Sequence, residues 1–402
     1  MTPSYKSWIY LYNEIQNNPD RDYRMQKEVT TMKSIVYVGM DVHTTNYTLA
    51  CFRPDMTDCF AVLTVEPDCK NILSYLKNVE KNSGEPCEFH CGYEAGCLGF
   101  SLYDELQKHG ISCVVLAPST MPSMGAREIK NDKRDAQKIA RCLAYGQYSP
   151  VHVPAKEDLD VKEFLRMRND HRDALKRVKQ QILAFCTRHG LRFTDGKKPW
   201  TLKHLAWLRK LRLGGLLQEV LDEYLRSYQT LAETLERLDK RIEELAQGDT
   251  YRENVKKLGC FVGIRTHTAM ALLVETGDFR RFRKPEQYAA YLGLIPGERS
   301  SGAKVHATGI TKTGNVLLRR LLAESAQCYS RGRAGFKSQT LRKRQSGNLP
   351  EVIRYADRAN LRLRKKYSAM VMENKKAHNV AVTAIARELA CFVWGMMTGN
   401  IA

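Results

Sequence analysis

Four carboxylates stand where a carboxylate is costly unless something holds it. Asp41 ends the apolar run "IVYVGMD" and Glu94 ends "EFHCGYE". Both runs are rich in β-branched and aromatic residues, which places each acid at a strand end. Charge there needs solvent, an ion partner or a metal. Asp132 and Asp135 open "DKRDAQKIARCLAYG" three residues apart, so both project from one helix face. Taken alone, that pair also suits a helix N-terminus. Four carboxylates brought together cannot all stay ionised without cations. An all-oxygen set favours Mg²⁺, with Mn²⁺ as the alternative. Two such ions about 4 Å apart can hold the attacking and leaving oxygens of a phosphodiester.

A second stretch bears on the same chemistry. "SSGAKVHATGITKTGN", Ser300 to Asn315, combines hydroxyls, glycines and lysines with no acidic residue. It reads either as a polar loop or as a loop offering a hydroxyl and amides to a phosphate.

The elements that must position these groups follow from local pattern. "SIVYVGMDVH" from Ser34, "NYTLACF" (46–52) and "CFAVLTV" (59–65) read as a three-strand meander broken at turn residues. "NILSYLKNVEK" (71–81) has helical apolar spacing through Ile72, Tyr75, Leu76 and Val79. A strand (87–94), a helix (98–110) closed by Gly110, a strand (111–118) stopped by proline and a helix (132–146) complete the series. The order β-β-β-α-β-α-β-α is that of an RNase H-like domain. In such a sheet the first strand is central and the fourth lies beside it, which brings Asp41 and Glu94 close.

Residues 155–250 read as helical. Leu217, Leu221, Tyr224, Tyr228, Leu231, Leu235, Leu238, Ile242 and Leu245 alternate spacings of four and three, a heptad seam. It predicts a coiled coil joining subunits; a helical hairpin within one chain is the alternative. Residues 251–402 read as a mainly α-helical, basic domain. Residues 1–33 are polar and weakly patterned and read as a mobile extension, with Met32 a possible alternative start. Four regions result: 1–33, 34–150, 151–250 and 251–402.

Charge separates along the chain. The net charge is +20, yet residues 1–150 carry 16 Lys and Arg against 18 Asp and Glu. Residues 301–402 alone carry 19 against 5. A near-neutral front and a basic back predict a polyanion-binding surface, nucleic acid above all. No apolar run approaches the roughly 18 to 20 residues of a membrane span, so no membrane contact is expected. The N-terminus lacks a signal-peptide core, which predicts a cytoplasmic, nucleoid-associated protein with its 12 cysteines reduced. Cys87, His90, Cys91 and Cys97 suggest zinc only weakly, because His90 points away from Cys87 and Cys91 on a strand.

"YVGMDVH", "GYEAG" and "NDKRDAQKIA", followed by "YLGLIPGERSSG" and "GITKTGNVLLRRLL", resemble the DEDD-type transposases of bacterial insertion sequences, the RNA-guided bridge recombinases. The resemblance covers roughly residues 34–400. It implies a RuvC-like, RNase H-like α/β N-terminal domain, a helical coiled coil, and a mainly α C-terminal domain. It assigns Asp41, Glu94, Asp132 and Asp135 as the metal ligands and Ser301, not Ser300, as the nucleophile. It further implies Mg²⁺, DNA at element ends and target, a structured noncoding RNA, and a dimer or tetramer. Lys304, Lys312, Arg319 and Arg320 flank the serine and are the candidate nucleic-acid contacts. Where the family has a "PGIG" turn, this chain has "LGCFVGIRTHTA" (258–269). Two other classes fit parts of the pattern: a junction-resolving nuclease using water, which does not need Ser301, and a nucleic-acid-binding protein without catalysis.

Overall fold

The structure is a computed structural model that describes residues 33–96, 98–122, 131–298 and 307–401. The chain divides into two compact units, one ending at Val153 and the other beginning at Pro154.

The first unit is a five-stranded sheet. Its strands are β1 (Ser34–Val42), β2 (Tyr47–Phe52), β3 (Phe60–Val65), β4 (Cys87–Glu94) and β5 (Ser112–Leu116). The order across the sheet is β3-β2-β1-β4-β5. β2 runs antiparallel to β1, and β4 runs parallel to it. This mixed sheet is compatible with the RNase H-like fold expected from the element order. Alternation along β1 sorts its residues between two cores. Val36, Val38 and Met40 are buried beneath helices α1 (Cys69–Ser83) and α2 (Ser101–Lys108). Tyr37 and Gly39 face the third helix, α3 (Asp132–Ala144), which carries Ile139 and Leu143 into a second core. α1 begins where the Asp68 side chain accepts from the Lys70 amide and ends at Gly84 with φ 70°.

The second unit is mainly helical. α4 (Lys156–Arg188) and α6 (Gly215–Ala246) form a long hairpin, bridged at its far end by α5 (Leu202–Lys210). Arg168 pairs with Asp239 by two hydrogen bonds of 2.7 and 2.9 Å, and Phe185 meets Tyr224, so the two helices run antiparallel. Part of the expected seam is packed within the chain, as in the hairpin alternative. Leu221, Leu238 and Ile242 are buried within a single chain, whereas Leu217 is 40% exposed. A four-three spacing demands a helical partner but does not say which chain supplies it. Leu238→Asp is therefore expected to destabilise the protomer itself, by about 3 kcal/mol or more, as a fall in melting temperature.

The hairpin's near end merges through Leu165, Ile242 and Ala246 with a large helical core. The surrounding helices are α7 (Arg252–Gly259), α8 (Thr266–Thr276), α9 (Pro285–Tyr291), α10 (Val316–Ala326), α11 (Gln339–Gln345), α12 (Pro350–Ser368) and α13 (His378–Thr398). Strands β6 (Pro296–Glu298) and β7 (Ala307–Ile310) pair antiparallel. Within the 21-residue α13, an 18-residue stretch of mean hydropathy 1.5 has the length and composition of a membrane span, although Arg387 and Glu388 break its apolar run. Its Ile385, Leu389 and Val393 are fully buried in the helical core, and it packs on α9, α10 and α12.

Candidate metal centre and the serine segment

The candidate metal centre is built by the contact of β1 with α3. Gly39 is the enabling residue. A Cβ there would lie 2.0 Å from the Ala136 carbonyl oxygen and 2.3 Å from the Ala140 nitrogen. Only glycine lets the helix backbone lie directly on the strand. Asn131 caps α3 by accepting from the Arg134 amide at 2.9 Å, which starts the helix at Asp132. The acids of the first turn thereby come over the C-terminal end of β1, where Asp41 sits.

The carboxylate of Asp41, the imidazole of His43 and the carboxylate of Asp132 converge, with one donor atom from each within 4.8 Å of the others. His43 Nε2 lies 3.3 Å from Asp41 Oδ2. The side chain of Asp41 is only 17% exposed. Burial pushes its carboxyl above the ordinary value; the His43 ring opposes this, and Asp132 and Asp135 add to it. The field of Asp135 therefore reaches Asp41. A desolvated carboxylate ringed by oxygen and nitrogen donors is the chemistry of a divalent-cation site, so these residues fit the group.

Glu94 follows one position after the register pair Met40–Tyr93, so it neighbours Asp41 at the parallel strand ends. Its carboxylate is not among the three converging donors. The structure thus brings Asp41, His43 and Asp132 together, with Asp135 one turn along α3 and Glu94 at the adjacent strand end.

Two features escaped the sequence reading. His43 stands two residues beyond Asp41, and the twofold strand period was the signal that could have placed it on the same side. α3 also carries Arg134, Lys138 and Arg141 at helical spacing, and these line a groove of about 450 Å³ with Gln137 and Gln147. Gly39→Val is expected to displace α3, cut divalent-cation affinity at least about tenfold and lower the melting temperature. Metal titration by calorimetry together with thermal melting checks both effects.

Ser300, Ser301 and Lys304 lie outside the described residues. β6 and β7 directly precede and follow residues 299–306. Beyond β7, the turn Thr311–Asn315 is fastened to the helical core. Lys312 has φ 58° and Gly314 φ 73°. A Cβ at Gly314 would lie 1.8 Å from the Tyr291 carbonyl oxygen. Arg319 donates to the carbonyls of Leu292 and Thr313, each at 2.9 Å. Asn315 caps α10 by accepting from the Leu318 amide and donates to Glu275 at 2.8 Å. Glu275 is also paired with Lys162 at 3.0 Å. Arg320 reaches Asp173 at 3.7 Å, and Lys312 is exposed. Arg319 thus has a structural post that its position beside the serine segment did not reveal.

Comparison with known proteins gives two matches in chain order. A DEDD transposase model of the IS110 type matches residues 38–189, and the transposase IS116/IS110/IS902 family model matches residues 256–341. The chain is 33% identical over 352 residues to the transposase for insertion sequence element IS1533 of Leptospira borgpetersenii, covering 86% of this chain and 99% of that protein. It is 33% identical to the putative transposase y4qE of Sinorhizobium fredii, over 76% of this chain and 74% of that one. It is 25% identical to the transposase for insertion sequence element IS1111A of Coxiella burnetii, over 67% of each.

Proposed function

Because the chain belongs to the IS116/IS110/IS902 family of DEDD-type insertion-sequence transposases, we propose that it recombines DNA by metal-assisted strand cleavage with Ser301 as the nucleophile. The observation that carries the reading is the convergence of Asp41, His43 and Asp132, with Asp135 beside them. Asp41, Asp132, Asp135 and Glu94 would hold Mg²⁺, and His43 adds a donor. When bound, Mg²⁺ supplies Lewis-acid polarisation of the phosphoryl oxygens and eases loss of the serine proton.

Ser301 forms a bond from its Oγ to phosphorus as the bridging P–O bond of the strand breaks. The hydroxyl proton passes to water, and the departing oxygen takes a proton to leave as a hydroxyl. The phosphodiester count is unchanged, so the phosphoserine link keeps the bond energy for rejoining. The fastened turn Thr311–Asn315 steadies the C-terminal flank of the serine segment. Positioning of this kind contributes much of the rate in such reactions.

DNA at the element ends and target is the substrate, and a structured noncoding RNA pairs with both. The protein acts as a dimer or tetramer, in the cytoplasm where the DNA lies. Lys304, Lys312 and Arg320, with the basic face of α3, grip phosphates. Lys312→Gln and Arg320→Gln are each expected to lower the slope of log affinity against log salt by about one. The Lys312 change leaves the melting temperature untouched, whereas Arg319→Gln lowers it by releasing the carbonyls of Leu292 and Thr313. A covalent protein–DNA species trapped on DNA bearing the element ends tests the reading as a whole. Cleavage with no such species would favour water as the nucleophile.

A further inference from the structure

The helical unit contains a groove of which the cleavage reading uses only Lys312. It measures about 570 Å³, within the usual range for small-ligand sites of roughly 300–1,000 Å³. Leu294, Ile310 and Met370 give it apolar walls. Met370 is turned into it by a π-helical segment, Ala369–Glu373, that departs from the end of α12. Such segments break the regular side-chain spacing and recur at functional sites. Asn379 and Thr383 add an amide and a hydroxyl along one side.

The charge around this groove is one-sided. Lys312, Lys366 and Arg387 line it, and no carboxylate does. Lys366 is neutralised by Glu388 at 2.5 Å. Neither Lys312 nor Arg387 has an ion-pair partner among the described residues. A slot with apolar walls, hydrogen-bonding groups along one side and two unneutralised cations complements a flat base attached to a phosphate. β6 and β7 supply Pro296 and Ile310 to it, so it adjoins the strands that flank the serine segment.

We propose that this groove holds one unstacked nucleotide of a single DNA strand, with the base between the apolar walls and the flanking phosphates on Lys312 and Arg387. The proposal rests on the reading that the protein cuts DNA. Removing one base from its stack is a recognised cost of nucleic-acid chemistry, repaid by a fitted pocket. Contacts to single bases and their phosphates also supply much of single-strand affinity.

The test uses the full-length Ser301→Ala protein, so that only binding is read. A short oligodeoxynucleotide carrying one 2-aminopurine is titrated at fixed salt, with emission and anisotropy recorded together. The expected result is a several-fold rise in emission on binding. Val380→Glu places a carboxylate in the groove at a position 54% exposed, and Arg387→Gln removes a cation. Each is expected to weaken binding about tenfold and abolish the emission rise, with melting temperature unchanged. Unchanged affinity in both variants, or no emission change in the parent, overturns the proposal. So does tighter binding of the matching oligoribonucleotide that alone responds to the substitutions, or equal competition by polyglutamate. The covalent-adduct assay does not depend on this groove, so the groove proposal can fail while the cleavage reading stands, and the two failures are told apart.

Discussion

Ser301→Ala is expected to leave DNA and RNA binding within about twofold of the parent while recombination falls at least about 10³-fold, with no covalent protein–DNA species. The change deletes one oxygen from a segment with no acidic residue between Ser300 and Asn315. It leaves the carboxylates of the first unit untouched, so cation binding persists. Ser300→Ala is expected to keep substantial activity, because the proposed nucleophile is Ser301. The measurement is a denaturing gel of end-labelled DNA before and after protease, with mass spectrometry of the adduct peptide. An adduct at Ser300, or normal cleavage by Ser301→Ala without an adduct, overturns the assignment.

The second large effect is at Asp41. Asp41→Asn is expected to reduce strand cleavage at least about 10³-fold while raising the melting temperature of the protein in EDTA. The sign follows from the pKa direction. Burial raises the folded-state value of this carboxyl, so the folded chain resists its ionisation more than the unfolded chain does. That cost is absent below the ordinary carboxylate value of about 3.9. It grows as pH rises through the interval up to the folded value and is complete above that value. Asparagine never ionises, so the variant escapes it. A divalent cation offsets the same cost, so Mg²⁺ stabilises the parent and does little for the variant. A variant that melts lower in EDTA, or gains as much from Mg²⁺ as the parent does, would remove Asp41 from the metal set. Full cleavage by the parent in EDTA would defeat the metal reading altogether.

The sheet unit was largely legible from sequence because its signals are local. A strand that ends in an acid after six apolar or small residues has few other readings, and β4 was bounded at Cys87 and Glu94 as the structure has it. The helix at Asp132 was equally plain, since Asn131 and two acids mark its first turn. His43 was missed because its exposed ring lies just past the strand, where alternation is no longer enforced by burial. The seam on α6 was legible, but its spacing left open whether another helix of the chain or another subunit covers it. Apolar spacing reports that a face must be covered, and α4 packs along part of it from positions between 39 (Phe185–Tyr224) and 71 (Arg168–Asp239) residues away in the chain. Arg319 was beyond reach for a similar reason, because its partners are backbone carbonyls, which leave no trace in residue type. Ser301 rests on the flanking motif and not on geometry.

The close seat of α3 on β1 has a practical consequence for redesign. The candidate metal centre is set by backbone lying on backbone at Gly39, Ala136 and Ala140, with the side chains of Ile139 and Leu143 packed farther along the helix. A transplant of the site into another sheet therefore has to carry those three small residues along with the acids. An acid-only graft would inherit the ligands without their spacing. Conversely, recoding the larger apolar residues on that face, such as Ile139 and Leu143, should alter thermal tolerance long before it alters metal choice.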